Sequence, residues 1–162
     1  MRPKITVKLQ STDKVLELLG YLAFIVLWAF TILAYSNSSG QVPSHFNAAG
    51  KIDAISGRDS LWTLAIVGSS LFIGLSVILR FPNIYNYPVV ISEENAARQY
   101  SLATRLIRWI RLVTVTAFAV LAIDSYLLAI HKIDTISKWF LVALVVSILA
   151  VMIDYFIRSF KK

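Results

Sequence analysis

The chain has 162 residues, of which 57% are hydrophobic and 15% charged, with a formal net charge of +7. A water-soluble domain of this length cannot hide so much apolar surface, so lipid must cover the excess and a soluble globular enzyme is excluded. The absence of cysteine removes disulfides, thiolate nucleophiles and cysteine-ligated metals.

Positions 1–14 are a polar arm carrying Arg2, Lys4, Lys8 and Lys14. An apolar run at 15–35 follows, longer than the hydrophobic core of a secretory signal, and reads as a retained first span. Positions 36–60 form a polar loop. It leaves the span through Ser36-Asn37-Ser38-Ser39-Gly40, a composition that favours turns, and Val42 before Pro43 is biased to an extended conformation. Gly50 and Gly57 permit turns around 51–56, and Asp59 or Ser60 is placed to cap the next helix. A loop this short and bracketed suggests a fixed lid over the helix ends.

The second span, 61–79, is uncharged and carries a small-residue face of Gly68, Ser69, Ser70, Gly74 and Ser76 suited to close helix packing. A loop at 80–111 begins with an aromatic turn, Asn83 to Pro88. Ser92 followed by Glu93 and Glu94 then reads as a helix start. On a helical wheel Tyr100, Leu102, Ala103, Leu106, Ile107 and Ile110 fill one arc, and Arg98, Arg105, Arg108 and Arg111 the other. This amphipathic helix either lies along the membrane surface or runs on as one rod into the third span, 112–130. A short loop at 131–138, a fourth span at 139–157 and a tail at 158–162 complete the chain. The expected class is an all-α integral membrane protein, a four-helix bundle with an ordered extracytoplasmic loop between helices 1 and 2 and an amphipathic cytoplasmic helix leading into helix 3.

The arm, the 80–111 segment and the tail hold twelve of the sixteen Lys and Arg, against four in the loops at 36–60 and 131–138. The positive-inside rule therefore expects both termini in the cytoplasm and the 36–60 loop outside, in a bacterial cytoplasmic membrane. The basic excess reads as contact with anionic headgroups, so the bilayer is the expected partner and nucleic acid is not.

Three carboxylates fall within the spans. Glu17 lies three residues after Lys14, and Asp154 four before Arg158; both read as local boundary pairs. Asp124, about 9 Å below the nearer end of its helix at 1.5 Å per residue, has no basic neighbour within a turn or two along its own span. It is expected to face the underside of the 36–60 loop, opposite Arg58, as structural glue or as a site residue.

The loop string Pro43-x-His45-Phe46-Asn47-x-x-Gly50-x-x-Asp53, followed by Arg58, concentrates an imidazole, an amide, a carboxylate and a guanidinium. These groups can bind a ligand or bond to one another to pin the loop. His45 and His131 fit no metal-ligand spacing, so neither metal nor cofactor is expected.

The same string resembles the hallmark of domain of unknown function 1648, the membrane family that includes the N-terminal part of the Sdp immunity proteins. Asn86-Tyr87-Pro88, Glu93-Glu94-Asn95 and Gln99-Tyr100 resemble a second stretch common beside that domain. The resemblance covers residues 15 to 111 and stops before the further C-terminal transmembrane portion of the Sdp proteins. It implies protection against a secreted peptide toxin, together with signalling through a membrane-sequestered repressor. The resulting expectation is a non-enzymatic envelope module whose outer loop recognises a peptide, toxin or lipid, with a cytoplasmic protein partner. Alternatives are a small transport subunit or membrane enzyme using Asp124 and His45, and a structural subunit of a larger membrane complex.

Overall fold

The structure, a computed structural model, describes residues 2–161; Met1 of the arm and Lys162 of the basic tail lie outside them. Four helices carry the fold: α1 (Ser11–Asn37), α2 (Trp62–Ile78), α3 (Ala96–Ala129) and α4 (Phe140–Phe160). Each is long and apolar enough to cross a bilayer, α2 together with the 3-10 turn that precedes it. Their four crossings bring both chain ends to one end of the bundle. A two-stranded antiparallel hairpin, β1 (Gln41–Phe46) and β2 (Ile52–Gly57), closes the other.

The hairpin corrects the all-α expectation. It also moves the expected turn, which is made by Asn47 to Gly50, while 52–57 is strand. Neither Asp59 nor Ser60 caps α2. The chain winds through a 3-10 turn, Arg58–Leu61, whose own hydrogen bonds lead into the helix. Ser92 is likewise not the N-cap of α3. That position is Asn95, whose side chain reaches back to accept from the Ser92 backbone amide at 2.9 Å.

α3 is the spine. It runs unbroken for 34 residues, about 51 Å at 1.5 Å per residue, which settles the surface-helix alternative in favour of a single rod. α1 and α2 pack on one side of it around Leu27, Phe72, Val115, Ala119 and Ala122. Part of the small-residue face of α2 is used here. A Cβ at Gly68 would sit 2.7 Å from Leu27 and 3.1 Å from Phe118, and Ser69 accepts a hydrogen bond from the Trp28 indole at 3.0 Å. Gly74 and Ser70 remain open toward the lipid side.

The C-terminal part of the basic arc of α3 turns inward, while Arg98 stays exposed. Arg108 and Arg111 are buried against α1, where Glu17 receives both, at 2.9 and 2.5 Å, and Asp13 receives Arg105 at 2.8 Å. Glu17 is therefore not the local partner of Lys14. Asp13 and Glu17 lie one turn apart on α1, and Arg105, Arg108 and Arg111 follow a three-residue step on α3. The two rows mesh as the helices cross. Arg111 is further held by Ser76 Oγ at 2.8 Å and lies 4.7 Å from the Phe72 ring centroid. Asp154 and Arg158 do form the expected local pair, at 2.8 Å.

The aromatic turn after α2 is knitted by tyrosine hydroxyls. Tyr85 donates to Ile78 O and Tyr87 to Pro82 O, both at 2.7 Å. Burial pushes the Tyr85 hydroxyl up to about 12, so it remains a donor through the physiological range. The N-terminal arm lies across this turn, with Arg2 bonded to Tyr85 O and Pro3 O accepting from Tyr100 at 2.9 Å.

α4 packs chiefly on α3 and is clasped at its last turn. Gln99 Nε2 donates to Ser159 O at 3.0 Å, Ser159 Oγ donates back to Gln99 Oε1 at 2.8 Å, and Arg98 donates to Arg158 O at 2.6 Å. Carbonyls that a helix end leaves unpaired thus gain donors from α3. Gln99→Ala is expected to cost about 1–3 kcal/mol through the buried partners it strands, read as a lower unfolding temperature in detergent and faster trypsin cleavage after Arg158. An unchanged cleavage rate would contradict the clasp.

Candidate functional site

Every motif residue of the 36–60 loop lies on the hairpin or at its base. Val42 anchors the ribbon, buried with Ala34 and Leu61, and the Arg58 amide donates to Gly40 O at 2.9 Å to close it. Pro43 sits within β1 opposite Ile55, where its missing N–H is tolerated because a two-stranded ribbon is all edge. The register slips between Pro43 and Phe46. Such a bulge re-aims side chains, and here it accompanies a 2.5 Å contact between His45 Nδ1 and Asp53 Oδ1. That pair is an ion pair when the imidazole is protonated, and it stands in water, with His45 69% and Asp53 41% exposed at the side chain.

Asn47 and Gly50 build the tip. The Asn47 carboxamide oxygen accepts from the backbone amides of Ala49, at 2.9 Å, and Lys51, at 3.1 Å. Its own backbone bonds to Lys51 and Gly50 complete a tight Asx-type turn. Gly50 has φ +79°, and a Cβ there would collide with the carbonyl oxygen of Ile136. The Ile136 amide donates to Gly50 O at 3.3 Å, so the hairpin tip is docked on the α3–α4 loop. Glycine is needed both for the turn and for this approach.

Beneath the docked hairpin lies a cavity of about 390 Å³. β1 and the tip roof it, with Phe46 among the roofing residues. Leu61, Thr63 and Leu64 line it from α2 and its entry turn, Leu121 and Ser125 from α3, and Ile136, Phe140 and Leu141 from the α3–α4 loop and α4. Its walls are mainly apolar, with His45, Lys138 and several hydroxyls among its polar groups. A second cavity of about 370 Å³ lies at the hairpin base and is lined by Ser38, Gln41, His131 and Asp134 among others.

Asp124 and Arg58 do not meet. The Arg58 guanidinium lies 4.6 Å over the Tyr35 ring, a cation–π contact at the end of α1. Asp124, half-buried, makes no hydrogen bond or ion pair among the described residues. It lines neither cavity, because successive helical residues turn by about 100°, and its neighbour Ser125 is the one directed at the hairpin. Sequence reasoning missed the contribution of the α3–α4 loop and of Leu121 and Ser125, which an apolar helix pattern does not distinguish from lipid-facing positions.

These features define a four-span membrane protein with a hairpin-roofed cavity at one end of the bundle. Residues 22–68 match the family described as "Domain of unknown function (DUF1648)", a stretch that runs from mid-α1 through the hairpin into α2 and contains the His45 string. An uncharacterized protein of Archaeoglobus fulgidus is 36% identical over 86 residues, a stretch covering 52% of this chain and 47% of that relative. The matched stretch thus covers about half of each protein. No solved structure matches.

Proposed function

We propose that the protein is a non-enzymatic recognition module of the cell envelope, with the hairpin outside the cytoplasmic membrane, both termini in the cytoplasm, and an apolar side chain of an envelope peptide as the guest of the 390 Å³ cavity. The observation that carries this reading is the cavity itself, roofed by the family motif and held in shape by Asn47 and Gly50. A peptide is favoured over a lipid chain because β2 has no strand partner beyond β1 among the described residues and is exposed over Ile52 to Ile55. Its free edge offers backbone groups to an extended chain. α3 supplies both the cavity wall at Leu121 and the arginine row that meshes with α1, so it is the element that would relay occupancy to a cytoplasmic protein partner.

The test uses cells challenged with a graded series of apolar, envelope-active peptides. Expression of the protein is expected to raise the inhibitory concentration of at least one peptide, and Leu64→Trp, which fills the cavity, is expected to cancel the protection at equal abundance. Ser125→Cys, the sole thiol in that variant, is expected to show a blue-shifted bimane signal in nanodiscs on adding the same peptide. Peptide sensitivity unaltered by expression across the whole series would overturn the reading.

A further inference from the structure

The seam between α3 and α4 holds two cavities in line. One, of about 380 Å³, lies toward the chain-terminal end of the bundle and has Arg105, Asp154 and Arg158 in its polar wall, with Leu106, Trp109 and Val151 in the rest. The other, of about 220 Å³, continues the seam toward the hairpin and is almost wholly apolar, with the small residues Ala117 and Ala143 among its walls. The register makes them successive: Trp109 of the first lies four residues before Val113 of the second on α3, and Ala150 lies three after Ser147 on α4. From Arg105 to Val120 the seam covers roughly 22 Å at 1.5 Å per residue, enough for a headgroup and one leaflet's depth of acyl chain, about 15 Å from a core of about 30 Å.

The polar end is prepared for an anion. Asp13 holds the Nε edge of Arg105 and Asp154 that of Arg158, each at 2.8 Å. Neither terminal nitrogen of Arg158, nor Nη1 of Arg105, has a hydrogen-bond partner among the described residues. Two guanidinium groups against one carboxylate line that cavity, and one turn beyond Arg105 on α3 its wall carries Trp109, an indole of the kind enriched at membrane interfaces.

We propose that this seam is a binding site for one anionic phospholipid, its phosphate on the free nitrogens of Arg105 and Arg158 and one acyl chain along α3 and α4 past Ala143. The shared chemistry of a lipid phosphate and free inorganic phosphate is separated by the apolar slot, which only the lipid uses. The site is independent of the hairpin cavity.

Native mass spectrometry of the delipidated full chain, titrated with phosphatidylglycerol, phosphatidylcholine or inorganic phosphate, tests it. One phosphatidylglycerol is expected to bind at least about fivefold tighter than phosphatidylcholine, the preference expected of one cation at an anionic headgroup. Arg158→Gln removes that preference, whereas Asp154→Asn raises it. Both variants break the same ion pair, so a merely structural role for the pair would move them in the same direction. Ala143→Leu is expected to weaken a long-chain phosphatidylglycerol and spare a dihexanoyl one. Equal binding of the two lipids, an Arg158→Gln protein that keeps the preference, or displacement of the lipid by inorganic phosphate at similar concentration overturns the proposal. So does a dimer that forms without lipid and occupies the seam.

Discussion

Glu17→Gln is expected to be the most damaging conservative substitution in the chain. One carboxylate serves both Arg108 and Arg111, whose side chains are only 8% and 2% exposed. Removing its charge leaves two guanidinium groups in the packed α1–α3 interface, where Arg108 Nη1 and Arg111 Nε already have no hydrogen-bond partner. Stranding a buried charge costs about 3–5 kcal/mol, and the partial exposure of Glu17 places the loss near the lower figure, about 3 kcal/mol. The measurement is thermal unfolding in detergent, with Glu17→Gln/Arg111→Met as the second arm. The double variant should recover part of the loss, because it removes one of the stranded cations along with the carboxylate. Equal stability of the single and double variants would show that the pair is not coupled.

The second large effect belongs to Gly50→Ala. Left-handed backbone costs a residue with a Cβ about 1–2 kcal/mol, and the new methyl also meets the Ile136 carbonyl, adding about 1–3 kcal/mol of overpacking. Gly40 gives the control. Its φ is +94°, yet nothing lies within 4 Å of an added Cβ, so Gly40→Ala carries the backbone strain alone. Gly50→Ala should therefore undock the hairpin tip and expose the peptide bond after Lys51 to trypsin much faster than Gly40→Ala does. Matching cleavage rates in the two variants would remove the docking contact from the account.

Both substitutions act at contacts made by residues far apart in the chain. In the sequence, Glu17 is surrounded by its own helix, so Lys14 is the cation that local spacing supplies, and Arg108 and Arg111 form a polar arc that reads as solvated. Facing elements change the balance, because a carboxylate at the start of a span is largely covered once α3 lies against it and takes its hydrogen bonds from the facing guanidinium groups. Gly50 was legible as a turn residue but not as a docking point, since the Ile136 carbonyl it accommodates comes from 86 positions downstream. Asp124 shows the same limit from the other side: spacing placed it near the hairpin, and the rotation of α3 directs Ser125 there in its place.

By itself the sequence determined the membrane class, the four spans, the family likeness over 22–68 and the polar loop where chemistry concentrates. Hydropathy over about 20 residues is a one-dimensional quantity and needs no partner to be read. Only the tertiary structure decided that the loop is a bulged hairpin, that Arg108 and Arg111 turn inward, and that cavities lie beneath the hairpin and along the α3–α4 seam. Cross-strand register, the meshing of charged rows and the space left between helices depend on which faces meet, and that choice is made jointly by segments distant in the chain.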